Sequence, residues 1–125
     1  MVKNNRLWLP DRQDIIWIDC NLQVGQELCD IHPFLVLSPH IFNDKTSLVM
    51  GLPMTTADCN ADNPFAVAVS KASGHQLEKT SYVLCHQPKS FDWRMRNATP
   101  HPLGKLHEAL FSQVCERLNQ IIQIA

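Results

Sequence analysis

The sequence lacks the features that mark a membrane or secreted protein. Its uninterrupted apolar runs, such as residues 34–37, are far too short to cross a bilayer. The first six residues, Met1-Val2-Lys3-Asn4-Asn5-Arg6, are not followed by the apolar segment of a secretory leader. The five cysteines are an odd number and include no CxxC pair, which favours reduced, packed thiols over a disulfide framework. We therefore expect a cytoplasmic protein.

Charged side chains are also scarce. They make up 18% of the 125 residues, against 45% hydrophobic residues, which is typical of a folded protein rather than a disordered one. The net charge of −1 argues against an overall basic coat for nucleic acid, although Lys89, Arg94 and Arg96 form a local basic cluster. A chain of this length is expected to form one domain, spanning residues 1–125, around one core.

Several common chemistries have no matching motif. The chain has neither a glycine-rich phosphate loop nor a G-x-S-x-G elbow. Its cysteines and histidines do not have the paired spacing of a structural zinc site, because Cys85 and His86 are adjacent and would point to opposite faces of a strand. His101 and His107 are separated by a proline and a glycine. We expect no metal and no cofactor, and we interpret Cys85 as a packed thiol rather than a nucleophile.

Short apolar runs predict a mainly β fold that ends in one helix. Segments rich in β-branched and aromatic residues predict strands at residues 15–18, 34–38, 47–52, 65–69 and 81–85. Polar segments between them, including residues 21–30, 43–46, 57–64 and 73–75, indicate turns and loops, whereas residues 93–96 alternate as in a strand. From Lys105 onward, apolar residues recur every fourth position, as in an amphipathic helix. We expect a curled sheet or small barrel with a C-terminal helix packed on it.

A few polar groups next to these strands can move protons or bind phosphate. They are Glu27, His32, Thr55, Thr56, His86, Gln87 and the basic cluster around Trp93. Each has an ordinary structural explanation: a histidine can bond a loop carbonyl, a threonine can cap a strand end, and a tryptophan can fill the core. Considered one at a time, these structural explanations are favoured.

Considered together and in order, the motifs resemble those of the MazF/PemK family of toxin endoribonucleases (mRNA interferases) from bacterial type II toxin–antitoxin systems. The matching segments are Pro10-Asp11, Asp14-Ile15-Ile16-Trp17-Ile18-Asp19, Gly25, Glu27, Pro33-Phe34-Leu35-Val36-Leu37-Ser38-Pro39, Phe42-Asn43-Asp44-Lys45-Thr46, Pro53-Met54-Thr55-Thr56, Pro64-Phe65, Gln87-Pro88-Lys89-Ser90 and Trp93-Arg94-Met95-Arg96-Asn97-Ala98-Thr99. The likeness covers nearly the whole chain up to the C-terminal helix.

The resemblance implies an SH3-like curled sheet and a homodimer that binds single-stranded RNA and cleaves it without a metal ion. It also implies a cognate antitoxin, with operator DNA contacted only indirectly through the antitoxin complex. Two positions depart from the family pattern. His32 stands where the family commonly has arginine before the proline, and His86 stands where it commonly has aspartate before the glutamine.

These exchanges bear on the expected reaction, in which the ribose 2′-hydroxyl attacks the adjacent phosphate. One group must accept the hydroxyl proton, one must protonate the departing 5′-oxygen, and others must stabilise the anionic phosphorane. Arginine stays protonated and serves only the last of these needs, whereas histidine can move protons near neutral pH. His32 and His86 are therefore either an acid/base pair, or one of them only orients RNA.

The remaining roles follow from the resemblance. Thr55 would bond the scissile phosphate, and Glu27 would share the proton transfer or orient His32. The other RNA contacts are expected from Thr56, Gln87, Lys89, Trp93, Arg94 and Arg96, with the cationic side chains on flanking phosphates and Trp93 or Gln87 on bases.

A non-catalytic binder is the alternative. The related CcdB-type toxins share this architecture but act through protein contact, and the exchanges at His32 and His86 are also compatible with a lost active site. The CcdB likeness does not account for the Thr55-Thr56 and Trp93-Arg94 segments, so it ranks second.

Overall fold

Antiparallel pairing joins the strands of this protein into one sheet. The computed structural model describes residues 8–20, 31–69 and 80–123. The elements within these ranges are β1 (Asp14–Asp19), β2 (Ile31–Val36), α1 (His40–Thr46), β3 (Leu48–Thr55), a 3-10 helix (Asp58–Asp62), β4 (Ala66–Val69), β5 (Ser81–Leu84), β6 (Lys89–Asp92), β7 (Thr99–Lys105) and α2 (Glu108–Ile121). The predicted loops at residues 21–30 and 73–75 lie outside the described residues.

Strand β3 is central to the sheet. The strand order is β4-β5-β3-β2-β1-β7, and β6 pairs with β3 outside this path. The first half of β3 pairs with β6, from Leu48 opposite Asp92 to Gly51 opposite Lys89, and its last residues pair with β5. A mainly β fold with a C-terminal helix is therefore confirmed. Over the described ranges, no helix is long and apolar enough to span a bilayer.

Alternating side chains build two apolar clusters, one on each face of the sheet. Ile15 and Leu35 belong to the first cluster, which α2 covers with Val114. Ile16 and Phe34 belong to the second. Successive residues of a strand point to opposite faces, so two consecutive apolar residues supply both clusters. The C-terminal helix stabilises the fold because it shields the first cluster from water.

Several elements differ from the sequence-based expectation. Residues 40–46 form α1, where the sequence predicted a turn at residues 43–46, and residues 93–97 form turns where it predicted a strand. Strands β6 and β7 were not predicted. The helix begins at Glu108 rather than near Lys105, since His107 caps it by accepting a hydrogen bond at Nδ1 from the Ala109 amide at 3.2 Å.

The sequence did not predict strand β7, because the composition of this segment is unusual for a strand. Pro100, Pro102 and Gly104 lie within it, and these residues ordinarily interrupt strands. The strand is tolerated because it lies at the edge of the sheet and pairs only with β1 among the described strands, so the missing amide donors are not required by a second neighbour. Gly104 has a φ of +67°, a backbone conformation that glycine adopts readily.

We predict that Gly51→Ala severely destabilises the fold. A Cβ at this position would lie 2.0 Å from the Leu35 carbonyl oxygen and 2.8 Å from the Phe34 ring. Because the nearest obstacle is backbone, β2 and β3 would have to move apart, and we expect a loss of roughly 3 kcal/mol or more. The measurement is the free energy of unfolding in denaturant.

Gly104→Ala is the matched control for this prediction. A Cβ added to Gly104 would have no heavy atom of the described residues within 4 Å, so only the positive φ opposes an alanine. We expect a loss of about 1–2 kcal/mol. Equal effects of the two substitutions would contradict the assignment of Gly51 as a site of close strand approach.

Candidate functional site

A cavity of about 290 Å³ lies at one end of the sheet, where β1 and β3 end and β2 and β5 begin. Its wall combines apolar side chains with histidine and hydroxyl groups. The lining residues are Trp17, Ile31, His32, Pro33, Met54, Thr55, Thr56, Ser81, His101 and Leu103. Three of the residues predicted from the sequence, His32, Thr55 and Thr56, are therefore brought together.

Strands β2 and β3 carry His32 and Thr55 to the same cavity. Phe34 pairs with Pro53, and Leu35 pairs with Leu52. His32 lies two residues before Phe34 in β2, and Thr55 lies two residues after Pro53 in β3. Both residues line the cavity, so the fold brings an imidazole and a hydroxyl to one site.

The Thr55 hydroxyl is held by the backbone. Its Oγ1 accepts a hydrogen bond from the Ala57 amide at 3.2 Å. A hydroxyl that accepts at its oxygen still has its own hydrogen to donate. Thr55 can therefore still act as a hydrogen-bond donor. Its neighbour on the other side is Tyr82, which pairs with it across β3 and β5.

His101 is a cavity residue that the sequence analysis did not assign to this site. Its ring packs on Trp17, with centroids 4.4 Å apart, and only 8% of the residue is exposed. Its Nδ1 accepts a hydrogen bond from the Leu103 amide at 3.0 Å. The sequence considered His101 only as a zinc ligand, because the proline-flanked segment around it had no predicted strand to position it.

His86 lies elsewhere in the chain. It is exposed in the turn between β5 and β6, with its ring 6.4 Å from that of Phe65 and its Nε2 3.3 Å from Gln87 Nε2. It comes four residues after Tyr82, the partner of Thr55, a path of up to ~13 Å along an extended chain. Within one chain His86 is not among the residues that line the cavity, so its expected convergence with His32 stays a prediction that would require a second copy of the chain. Glu27 lies outside the described residues.

Trp93 is a core residue, which corrects the prediction that it contacts bases. Only 6% of it is exposed, and its indole Nε1–H donates to the Asn43 carbonyl at 2.9 Å. Trp8 packs edge-on against its ring, and the Arg94 guanidinium lies 4.3 Å from the ring centroid. A base has no open face of this ring on which to stack within the chain.

The predicted cationic contacts differ in position. Arg96 donates to the Asp19 carbonyl at 2.9 Å, and Asp19 pairs with Ile31 at the cavity end of the sheet. Arg94 instead donates to Asp44 at 3.0 Å, near the start of β3 and away from Thr55. Of the two arginines, Arg96 is therefore the one nearer to the cavity.

Two further predicted RNA contacts, Lys89 and Gln87, are on or beside β6. Lys89 is half-buried and pairs with Gly51 in the middle of β3, and Gln87 is exposed in the preceding turn. Both lie on the same side of β3 as His86. Neither lines the cavity.

The described parts of the chain offer neither a cluster of metal ligands nor a reactive thiol at Cys85. No group of three or more potential metal ligands occurs in residues 8–20, 31–69 and 80–123. Cys85 has no exposed surface, and burial raises the pKa of its thiol to about 11. Since the thiolate is the reactive species, Cys85 is unsuited to act as a nucleophile at neutral pH.

Comparison with known proteins places these features in a family. The family model of PemK-like, MazF-like toxins of type II toxin–antitoxin systems matches residues 11–122. The chain is 36% identical over 92 residues to the endoribonuclease toxin MazF of Escherichia coli K12, covering 74% of this chain and 77% of that protein. It is 27% identical over 113 residues to the endoribonuclease PemK of Escherichia coli, covering 90% and 81%.

Solved structures agree with the fold. The crystal structure of MazF from Deinococcus radiodurans superposes with a TM-score of 0.75 at 27% identity, covering 94% of this chain and 99% of that one. A MazE–MazF structure from the same organism gives a TM-score of 0.76 at 26% identity, covering 94% and 100%. The curled sheet with its C-terminal helix is therefore shared with these toxins.

We predict that Cys85 resists alkylation in the folded protein, whereas the exposed Cys59 reacts readily. Between pH 7 and 9 modification of Cys85 should stay slow, because the thiol is buried and remains mostly protonated below its raised pKa of about 11. Iodoacetamide labelling followed by peptide mass spectrometry measures both rates. Rapid labelling of Cys85 in native buffer, with a denatured sample as the reference, would contradict its assignment as a core thiol.

Proposed function

Because this chain belongs to the PemK-like, MazF-like family of type II toxins, we propose that it is an endoribonuclease toxin that cleaves single-stranded RNA without a metal ion. Its relatives at 36% and 27% identity are named endoribonucleases. The observation that carries the proposal is that His32 and Thr55 line one cavity. That pair would supply a proton-transfer group and a hydrogen-bond donor for an anion.

The reaction is an internal transfer at phosphorus. The ribose 2′-oxygen loses its proton and bonds to the adjacent phosphorus, while the bond from phosphorus to the 5′-oxygen breaks. The products are a 2′,3′-cyclic phosphate and a 5′-hydroxyl end, so water is not consumed in this step. His32 would carry one of the two protons, since imidazole both accepts and donates protons near neutral pH. Thr55 would donate a hydrogen bond to the phosphorane oxygen.

Phosphate contacts would extend from this centre over the neighbouring surface. Arg96 is anchored at the end of β1 that pairs with the start of β2, where it would hold a phosphate next to the cavity. Thr56 lines the cavity itself. Lys89, Arg94 and Gln87 would contact nucleotides farther along the strand. His86 would orient RNA there rather than share the cavity with His32, and Glu27 remains a proposed orienting group.

An antitoxin protein is the expected partner. The solved relatives include MazE–MazF structures and a mycobacterial endoribonuclease in complex with its cognate antitoxin. We propose that a cognate antitoxin neutralises this toxin in the cytoplasm, and that any contact with operator DNA is made through that complex.

We also propose a homodimer. Large exposed apolar side chains, including Ile41 (61%), Met50 (50%) and Met95 (80%), offer surface that a second copy would cover.

Removing either group at the centre should slow cleavage by about 100-fold or more. The variants are His32→Ala, which removes the proton carrier, and Thr55→Val, which replaces the hydroxyl with a methyl group of similar shape. Thr55→Ser keeps the hydroxyl and should retain most activity. His40→Ala is a histidine control at an exposed site on α1. Single-turnover rates on a long single-stranded RNA are the measurement. Full activity of a well-folded His32→Ala variant would remove His32 from the mechanism.

The products should also report the mechanism. With excess chelator present, we expect discrete RNA fragments whose 5′ ends accept phosphate from polynucleotide kinase without prior phosphatase treatment. A single 2′-deoxy substitution at the cleaved nucleotide should stop cutting there, because the attacking hydroxyl is gone. Ends that already bear a 5′-phosphate, or cleavage that needs magnesium, would contradict the internal-transfer mechanism. Intact RNA would favour the non-catalytic, CcdB-like alternative.

A further inference from the structure

The cavity continues the first apolar cluster toward the end of the sheet. Leu35 and Val83 belong to that cluster, and the cavity residues Pro33 and Ser81 lie two positions earlier in the same two strands. Because side chains two positions apart share one face of a strand, Pro33 and Ser81 face the same side of the sheet as the cluster. The cavity is therefore an extension of the core, and Ser81 is a polar residue in its wall.

Ser81 carries a buried hydroxyl group for which the described residues supply no hydrogen bond. Only 4% of the residue is exposed, and no bond of its hydroxyl occurs in the part of the chain that the structure describes. By contrast, the buried Ser38 bonds Asn43 and accepts a hydrogen bond from the Met50 amide at 3.0 Å. A buried polar group without a partner destabilises a fold and is rare in proteins. At the wall of a cavity, Ser81 can obtain its partner from the molecule that enters.

The cavity suits a flat group with apolar faces and a polar edge. Half of its lining is apolar, formed by Trp17, Ile31, Pro33, Met54 and Leu103. A phosphate is anionic and would lose hydration against such a wall without full compensation. A nucleobase presents two apolar faces and an edge of donors and acceptors, and a serine hydroxyl can bond either kind of group. The volume of about 290 Å³ is near the lower bound of ligand sites, ~300 Å³, which suits a group as small as one base.

We propose that this cavity is a base-binding subsite, in which the Ser81 hydroxyl forms a hydrogen bond with the edge of a nucleobase next to the cleaved bond. The inference rests on the proposed ribonuclease function and adds to it a contact that positions the RNA. His32 and Thr55 line the same cavity, so a base seated there would bring its own phosphate to these groups. Ser81 would then contribute to the binding of RNA and not to the proton transfers.

The variant Ser81→Ala separates this role from a structural one. If the hydroxyl serves only the RNA, the melting temperature of the free protein should not fall, because an unpaired buried polar group has been removed. The KM for a single-stranded RNA should rise about three- to tenfold, as expected for the loss of one neutral hydrogen bond, with kcat little changed. Ser90→Ala is the matched control, since Ser90 is an exposed serine of β6 that does not line the cavity. Neither its melting temperature nor its KM should change.

RNA substrates that lack one base test the contact directly. Two substrates each carry an abasic ribonucleotide, one on either side of the cleaved bond. With the wild type, one of them should raise KM at least as much as Ser81→Ala does. With that substrate, Ser81→Ala should have no further effect, because the hydroxyl has no base to bond. Such non-additivity is the signature of two groups in contact.

Three results would overturn the inference. The first is an unchanged KM for Ser81→Ala on the intact RNA. The second is a fall of several degrees in its melting temperature together with an equal rise in KM on the intact and both abasic substrates, which would make the hydroxyl structural. The third is weaker binding of the antitoxin with no change toward RNA, which would make the cavity a protein-binding site. If the wild type binds RNA without cutting it, the proposed function fails, and equilibrium binding of the same RNAs tests Ser81 by the same comparison.

Discussion

The close approach of β2 to β3 at Gly51 is the constraint on which the site depends. A side chain there would collide with the Leu35 carbonyl, so the two strands can pair at this distance only with glycine. The resulting register carries Phe34 opposite Pro53, and His32 and Thr55 each lie two residues farther along their strands. Because side chains alternate between faces, a slip of one residue would send His32 and Thr55 to opposite sides of the sheet. A packing requirement in the middle of the strands therefore positions the polar groups at their ends.

Residues that flank apolar strands were the part of the site that the sequence could predict. His32 precedes a buried run, and Thr55 and Thr56 close another, so the strands identified by composition also located these side chains. The five expected strands match β1 to β5 within a few residues at each end, and the C-terminal helix matches α2 from Glu108. Local sequence patterns were enough to predict these elements, because a short apolar run that must be buried can adopt few other structures.

The errors arose where a contact between distant residues decides the structure. Trp93 and the basic residues near it suggested a base-contacting surface, but Trp93 is anchored by a carbonyl 50 positions earlier in the chain. The helix α1 was missed for a related reason. Asn43 is buried and bonds the Pro10 carbonyl at 2.7 Å, so a segment of turn-like composition is held in place by a residue far away. His101 went unassigned because its strand is rich in proline and, among the described strands, pairs only with β1.

The two imidazoles of the cavity differ in their surroundings. His101 is buried, packs on Trp17 and accepts a hydrogen bond at Nδ1 from the Leu103 amide. His32 is only partly buried and lies at the start of β2. In the proposed reaction, histidine in place of the arginine that the family resemblance implies would gain a proton carrier but give up a permanent positive charge. Stabilising the anionic phosphorane would then fall to other groups, for which we propose Thr55 and Arg96, both held by backbone hydrogen bonds.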